Sequence, residues 1–441
     1  MAVIIIILTV PICAFAYLKN KNIYNPCFLL TAFWTLIVFL AALRLYGLIQ
    51  PSFTVYIATL LGILFFAAGC FFFSNKRITI GGNRLDSLSH SFIPKRFNIV
   101  VLCMLAYELY RFVDVFSMLR RGYTLNMIRL LYFGINVDGF QIGRFESVME
   151  TYVHLPLLYT CMALLAIDTV IPKEKKKISL LFRILGYVWI GLAQVIMGGR
   201  MVIYIFAVEL VIAYIMLKKT RIQLSGKKKK ILIITLVCIA IAFVYWLSIS
   251  RSGNKEYPFL RSLYVDFCGC MAHMTLRFES VNIEYTYGMS LLSGIFRPFM
   301  LIIKYVLGSV PDVYQATLDI GEQLQGAVMI GPNIDFNAYV LPVYYFYYDC
   351  GFVGIVFDSF VCGAVCQTFY NKFQDTKTYI SSAFYMLIVF AIFTSMIRYA
   401  GNLVYFILSF VALRLMFKKR EIFKTDSVRF LEIIFTKHAL W

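Results

Sequence analysis

The sequence predicts an all-α, polytopic integral membrane protein with about 11 transmembrane helices. Three observations carry that prediction. Of its 441 residues, 61% are hydrophobic and only 15% are charged, against roughly a quarter charged in a soluble domain. Apolar runs of about 18 or more residues recur along the whole length. Basic residues collect in the short hydrophilic breaks between those runs, where the positive-inside rule places cytoplasmic loops.

Spans of about 20 residues fit 2–17, 27–48, 54–74, 98–118, 151–171, 179–197, 201–217, 231–249, 338–368, 379–396 and 402–417. The first, AVIIIILTVPICAFAYL, lacks a basic n-region and an A-x-A site, so it reads as a retained helix rather than a signal peptide. With this threading Lys19 and Lys21, Lys76 to Arg96, Lys173 to Lys177, Lys218 to Lys230, Lys372 and Lys377, and Lys418 to Arg420 share one side. That side is cytoplasmic, with the C-terminus on it and the N-terminus outside. The chain reads as a single membrane domain, 1–441, with two long external segments, 119–150 and 250–337. Within the second, GMSLLSGIFRPFMLIIKYVLG (288–308) is apolar but carries Arg297 and Lys304. It reads as helix lying at the interface or re-entering from outside.

The net charge of +19 does not point to nucleic acid, because the lysines lie between spans, where anionic lipid headgroups hold them. Most of the 11 cysteines fall inside apolar spans and act there as small hydrophobes. Cys268 and Cys270 form a C-x-C with no His or Cys at metal spacing. No metal and no cofactor is expected.

The external face holds the informative residues. MGGRMVIYIF (197–206) is a glycine corner between two spans, and Arg200 on its rim is an exception to the positive-inside rule. Other rim or external cations are Arg120, Arg121, Arg129, Arg144, Arg251, Arg261, Arg277, Arg297, Lys304 and Arg398. Acidic residues on the same face include Glu146, Glu150, Asp266, Glu279, Glu284, Asp312, Asp319, Glu322 and Asp335. Arginine is suited to a planar, bidentate grip on phosphate, so Arg200, Arg251, Arg261, Arg277 and Arg297 are candidate substrate-binding residues. Each has a plainer alternative as a helix-capping or snorkelling side chain. His273, four residues before Arg277 and on the same helical face, is a candidate catalytic group or a structural histidine. Glu279 and Asp335 are candidate general bases. Tyr285–Tyr287 and Tyr344–Tyr348 offer surfaces for sugar rings or form an ordinary interfacial belt. Glu108, Arg111 and Asp114 make an intramembrane charge cluster, either an ion pair or the lining of a cavity.

GGR at the outer end of a span, YTYGMSLLSGIFRP in the long external loop and PNIDFNAYVLPVYYFYYDCGFVGIVFDSFVCG entering the next span together resemble the Wzy-type O-antigen and capsular polysaccharide repeat-unit polymerases. The resemblance covers most of the chain in hydropathy layout. It implies a helical bundle like that of the GT-C glycosyltransferases, in the plasma (inner) membrane of a bacterium. It implies transfer of a growing glycan from its polyprenyl pyrophosphate carrier onto the next lipid-linked repeat unit, building an O-antigen, capsule or exopolysaccharide. The implied partners are the polyprenyl-pyrophosphate-linked oligosaccharide, membrane lipids, and a chain-length regulator and flippase of the same pathway. The family's anion-binding arginines match Arg200 and, in looser register, Arg251, Arg277 and Arg297. Arginines in a low-dielectric pocket would stabilise the departing pyrophosphate, and a carboxylate or histidine would assist the sugar hydroxyl. No D-x-D motif stands in the external loops, which fits metal-independent transfer. An O-antigen ligase-type transferase and a flippase of lipid-linked oligosaccharide are the alternatives, although the internal repeats common in transporters are not seen.

Overall fold

The computed structural model describes residues 1–74, 90–124, 127–128, 131, 143–217, 259–279 and 284–419. The expected span 231–249, the basic run 218–230, Arg129 and Arg251 lie outside the described residues, as does the side chain of Arg144.

Fourteen α-helices follow one another among the described residues. They are α1 (Ala2–Asn20), α2 (Pro26–Ala42), α3 (Phe53–Phe73), α4 (Pro94–Arg120), α5 (Arg144–Met149), α6 (Leu155–Val170), α7 (Leu180–Ile196), α8 (Met201–Met216), α9 (Phe259–Glu279), α10 (Met289–Leu307), α11 (Asp312–Gln325), α12 (Pro342–Thr376), α13 (Tyr379–Thr394) and α14 (Val404–Leu415), with a π-helical turn, Glu150–His154, joining α5 to α6.

 Twelve of them have 14 or more residues, and α5 and α14 are shorter, at 6 and 12 residues. Four of the segments are long and apolar enough to cross a membrane on their own, namely α1, α3, α10 and α12, and the continuous helix Phe145–Val170 makes a fifth. The helices α2, α7, α8, α13 and α14 are apolar but shorter.

The helix starts follow from local chemistry. Asn25 accepts a hydrogen bond from the Cys27 amide at 2.8 Å, with Pro26 in the first turn of α2, the preferred pairing of cap and proline. Ser52 and Thr378 cap α3 and α13 in the same way.

The helix ends fall on two faces. On the first, Asn371 Nδ2 donates to the Phe73 carbonyl at 2.9 Å, Asn22 Nδ2 to the Tyr370 hydroxyl at 2.7 Å, and Arg96 to the Leu415 carbonyl at 2.6 Å. Lys19, Lys21, Lys173, Lys175, Lys177, Lys377 and Lys418 belong to these ends, so we call this the lysine face. On the opposite face a cap is built from α9, α10, α11 and a hairpin. It is tied down where Tyr264 donates to the Leu40 carbonyl at 2.6 Å, the Ser52 amide donates to Thr275 Oγ1 at 2.9 Å, and the Val340 amide donates to the Ile397 carbonyl at 3.0 Å. The described residues of 259–341 are therefore folded structure resting on the helix ends.

One feature specifies the sequence-based expectation and two differ from it. First, the segment expected as helix lying at the interface or re-entering from outside, 288–308, contains one unbroken 19-residue helix, α10, with Pro298 inside it. Second, the protein is not purely helical. A hairpin pairs β2 (Val328–Gly331) with β3 (Ile334–Phe336), and β1 (His90–Phe92) pairs antiparallel with β4 (Phe417–Lys419). The hairpin exists because Ile330, Ile334 and Phe336 are buried, with the Phe336 ring lying over Gly269 of α9. Third, the expected span 338–368 is a helix bent at Cys350 and Gly351, where Gly351 has φ +62°, a conformation that favours glycine.

That bend follows from Asp349. Its carboxylate accepts from the amides of Gly288, Ser290 and Leu291 at 2.9, 2.9 and 3.0 Å, and from the Thr286 hydroxyl. A side chain of α12 thus supplies the N-terminal cap that α10 lacks in its own sequence, answering the free amides of its first turn. Below the bend α12 packs along α3 through glycines. A Cβ at Gly69 would stand 2.1 Å from the Phe360 carbonyl oxygen, and one at Gly363 would stand 2.1 Å from that of Phe66.

Helix length then creates depth. With 16 and 12 residues, α13 and α14 rise about 24 and 18 Å, short of the ~30 Å hydrocarbon core. Their connection, 395–403, is correspondingly recessed. The cap descends to meet it, for Gly294 of α10 comes so close to the Gly401 carbonyl that a Cβ would stand 2.4 Å away.

Candidate functional site

The recessed connection carries Arg398. Its backbone amide donates to the Thr394 carbonyl at 3.2 Å, which continues the last turn of α13 and directs the chain back across the bundle. The guanidinium is half-buried, with Tyr345, Tyr405, Tyr339 and Tyr159 in electrostatic reach. No carboxylate pairs with it among the described residues. A half-buried cation among hydroxyls and aromatic faces, with no carboxylate paired to it among the described residues, has chemistry suited to an anion.

Arg297 acts on one of the same tyrosines. It projects from α10, reaches the Tyr152 hydroxyl, and shares Tyr405 with Arg398 as a neighbour. Tyr314 is also within its field. The two arginines therefore approach Tyr405 from α10 and from the 395–403 connection. Beyond Tyr152 a lateral groove of about 440 Å³ opens between α4, α6 and α14. Ile99, Val100, Leu408 and Val411 make its walls, Tyr152 marks one end, and Arg96 stands at the lysine-face end.

The cluster expected around Glu108 is larger than its sequence neighbours suggest. His154 lies between two carboxylates, with Nε2 2.6 Å from Glu108 and Nδ1 2.8 Å from Glu150. Arg111 reaches Glu150 at 3.3 Å. The set joins two carboxylates to a histidine and an arginine, and pairing of this kind makes such groups tolerable within a bundle. The π turn brings Glu150 and His154 together on the α4 side, where they bolt α4 to α6. Among the described residues Asp114 has no partner of this kind. Glu150, expected on the external loop, is buried here, and its charge is felt by Tyr159 and Tyr405.

The other arginines singled out from the sequence are engaged inside the cap. Arg200 pairs with Asp266 and donates to Ser262 Oγ at 2.8 Å, both on α9. Its corner is held by Gln194, which donates to the Gly199 carbonyl and accepts from the Ile203 amide at 3.0 Å. Arg261 donates to the Pro332 carbonyl at 2.7 Å, in the turn of the hairpin. Arg277 donates from Nε to His273 Nε2 at 3.0 Å and from Nη2 to the Gly326 carbonyl. These three arginines fasten α8, the hairpin and α11 to α9 or through it. Arg251 lies outside the described residues.

His273 is fully buried. Nδ1 donates to the Tyr339 carbonyl at 2.9 Å, and Nε2 accepts from Arg277. Burial pushes the imidazole down to about 4, the Tyr339 carbonyl pulls it upward, and the Arg277 charge lowers it further. Both nitrogens are occupied, which is the geometry of a structural histidine. Glu279 and Asp335 are exposed on the cap, and no ion pair joins either to the Arg297–Arg398 pair. Sequence reasoning placed Arg398 among the rim cations without singling it out. Its signal lay in the shortness of the apolar run after it.

Fold and site together define a helical membrane protein with a capped, arginine- and tyrosine-lined recess. Compared with protein-family models, curated proteins and solved structures, the chain finds no match in any of the three.

Proposed function

We propose that this protein is a glycosyltransferase of the bacterial plasma membrane that polymerises polyprenyl-pyrophosphate-linked repeat units, with the cap on the external side. The observation that supports the reading is Arg398, a half-buried guanidinium among four tyrosines with no carboxylate paired to it among the described residues, and Arg297 acting on Tyr405 as well. Two guanidiniums grip a pyrophosphate well, and the lateral groove at Tyr152 suits the hydrocarbon chain attached to it. The sugars would lie toward Tyr339 and Tyr345, under the cap.

In the transfer, a hydroxyl oxygen of the acceptor repeat unit forms a bond to the anomeric carbon of the donor. The bond from that carbon to the pyrophosphate oxygen breaks, and its electron pair leaves on the pyrophosphate. Arg398 and Arg297 stabilise that charge in surroundings of low dielectric, where such contacts act most strongly. The hydroxyl proton passes to a carboxylate of the cap, for which Glu279 and Asp335 are the candidates.

The test is the glycan ladder of cells carrying Arg398→Ala or Arg297→Ala. Single repeats should still reach the final acceptor while longer chains disappear, and Arg398→Lys should restore a part, since it keeps the charge but loses the planar fork. Accumulation of full-length lipid-linked chains would assign the protein to the ligase reading. Undiminished ladders from both alanine variants would overturn the proposal.

A further inference from the structure

A second cavity, on the lysine face, is separate from the arginine recess. It measures about 840 Å³ and lies where the C-terminal ends of α1, α6, α8 and α12 meet. Lys21, Lys175, Lys177 and Lys377 stand around it against a single carboxylate, Glu174. None of these lysines forms an ion pair among the described residues. Beneath the lysines the wall is apolar, with Ile167 and Ile171 from α6 and Ile215 and Met216 from α8.

The backbone singles out two of the lysines. Lys21 has φ 50° and ψ 31°, and Lys377 has φ 47° and ψ 30°. Each is the first residue past its helix, its amide donating to the carbonyl of Tyr17 or Phe373 at 2.6 and 2.8 Å. This left-handed position is taken by glycine without strain and by other L-residues against a steric penalty. Two helices far apart in sequence thus close with lysine where glycine fits better, and both lysines border one cavity. Compensation of the helix dipole does not require that position, because any cation in the last turn supplies it and α1 already has Lys19 there. What lysine adds is a cation at the rim.

We propose that this cavity binds the headgroup of an anionic phospholipid from the surrounding leaflet, with phosphate held by the four lysines and acyl chains lying on α6 and α8. A cationic rim above an apolar wall, at the level of the helix ends, matches an amphiphile better than a soluble anion, and basic pockets between helices take phospholipid headgroups in this way. The inference is independent of the glycosyltransferase reading.

The experiment uses the purified full-length protein in a neutral detergent, titrated with cardiolipin, phosphatidylglycerol, phosphatidylcholine or inorganic pyrophosphate. Binding is read by native mass spectrometry and by the shift in Tm. Cardiolipin and phosphatidylglycerol should bind and raise Tm, whereas phosphatidylcholine and pyrophosphate should do neither. Lys21→Gly with Lys377→Gly should weaken anionic-lipid binding at least tenfold while the lipid-free Tm stays level or rises, because glycine relieves both turns. Lys175→Gln with Lys177→Gln, on an exposed loop, should weaken binding without moving the lipid-free Tm. Unchanged lipid affinity in both double variants would overturn the proposal. So would pyrophosphate binding as well as lipid, or a lower lipid-free Tm in the glycine variant with lipid binding intact.

Discussion

Asp349 and His273 show how single residues hold the cap. Asp349 is legible in the sequence only as one acid in an apolar run, yet its carboxylate accepts three amides and a hydroxyl from the start of α10. Asp349→Ala should lower stability by about 2 kcal/mol or more, the loss of a strong cap compounded by buried amides left without a partner, measured as a fall in Tm of the detergent-purified protein. His273 leads to a pH prediction. Its folded pKa, about 4, lies below the ordinary value of 6.5, so the unfolded chain binds the extra proton. Its contribution is complete above about pH 6.5, is lost as pH falls toward 4, and levels off below. At about 1.4 kcal/mol per unit the change amounts to a few kcal/mol. His273→Gln should flatten the stability profile between pH 6.5 and 4. Arg200 illustrates the limit of reading a residue alone. Its sequence position marks it as a cation needing an anion, and Asp266, 66 positions along the chain, is an anion no local pattern could select.

At the scale of elements, the apolar runs gave the helices close to their true bounds, because burying backbone polar groups in a helix is the direct response of such a run to a membrane. The expected spans 54–74 and 201–217 match α3 and α8 within a residue or two. Bends, caps and hairpins were less legible, since Gly351, Asp349 and β2–β3 depend on what packs against them. The crossing of α3 and α12 is the element contact with the least slack. Gly69→Val or Gly363→Val would drive a side chain into a facing carbonyl, and separating the helices to make room should cost ~1–3 kcal/mol. The measurement is the Tm of each variant, and a Tm equal to that of the parent would show that the crossing is looser than described.

For the whole molecule, the division into a lysine face and a capped face predicts an accessibility pattern. In a cysteine-light background, Gln50→Cys beside the cap should react with an impermeant maleimide in intact cells, and Lys175→Cys should react only after permeabilisation. The reverse pattern would invert the orientation proposed above. Composition and the spacing of apolar runs by themselves determined that the chain is helical, that it has spans suited to a membrane, and which helix ends share the basic face. Those properties follow from one-dimensional quantities, the length of a run and the sign of the breaks between runs. Tertiary structure alone decided how the arginines are engaged. Arg200, Arg261 and Arg277 find partners on neighbouring elements, whereas Arg398 lies at the connection of two short helices among tyrosines, with no carboxylate paired to it among the described residues. Charge compensation is a property of three-dimensional neighbours, and the sequence does not order residues by distance.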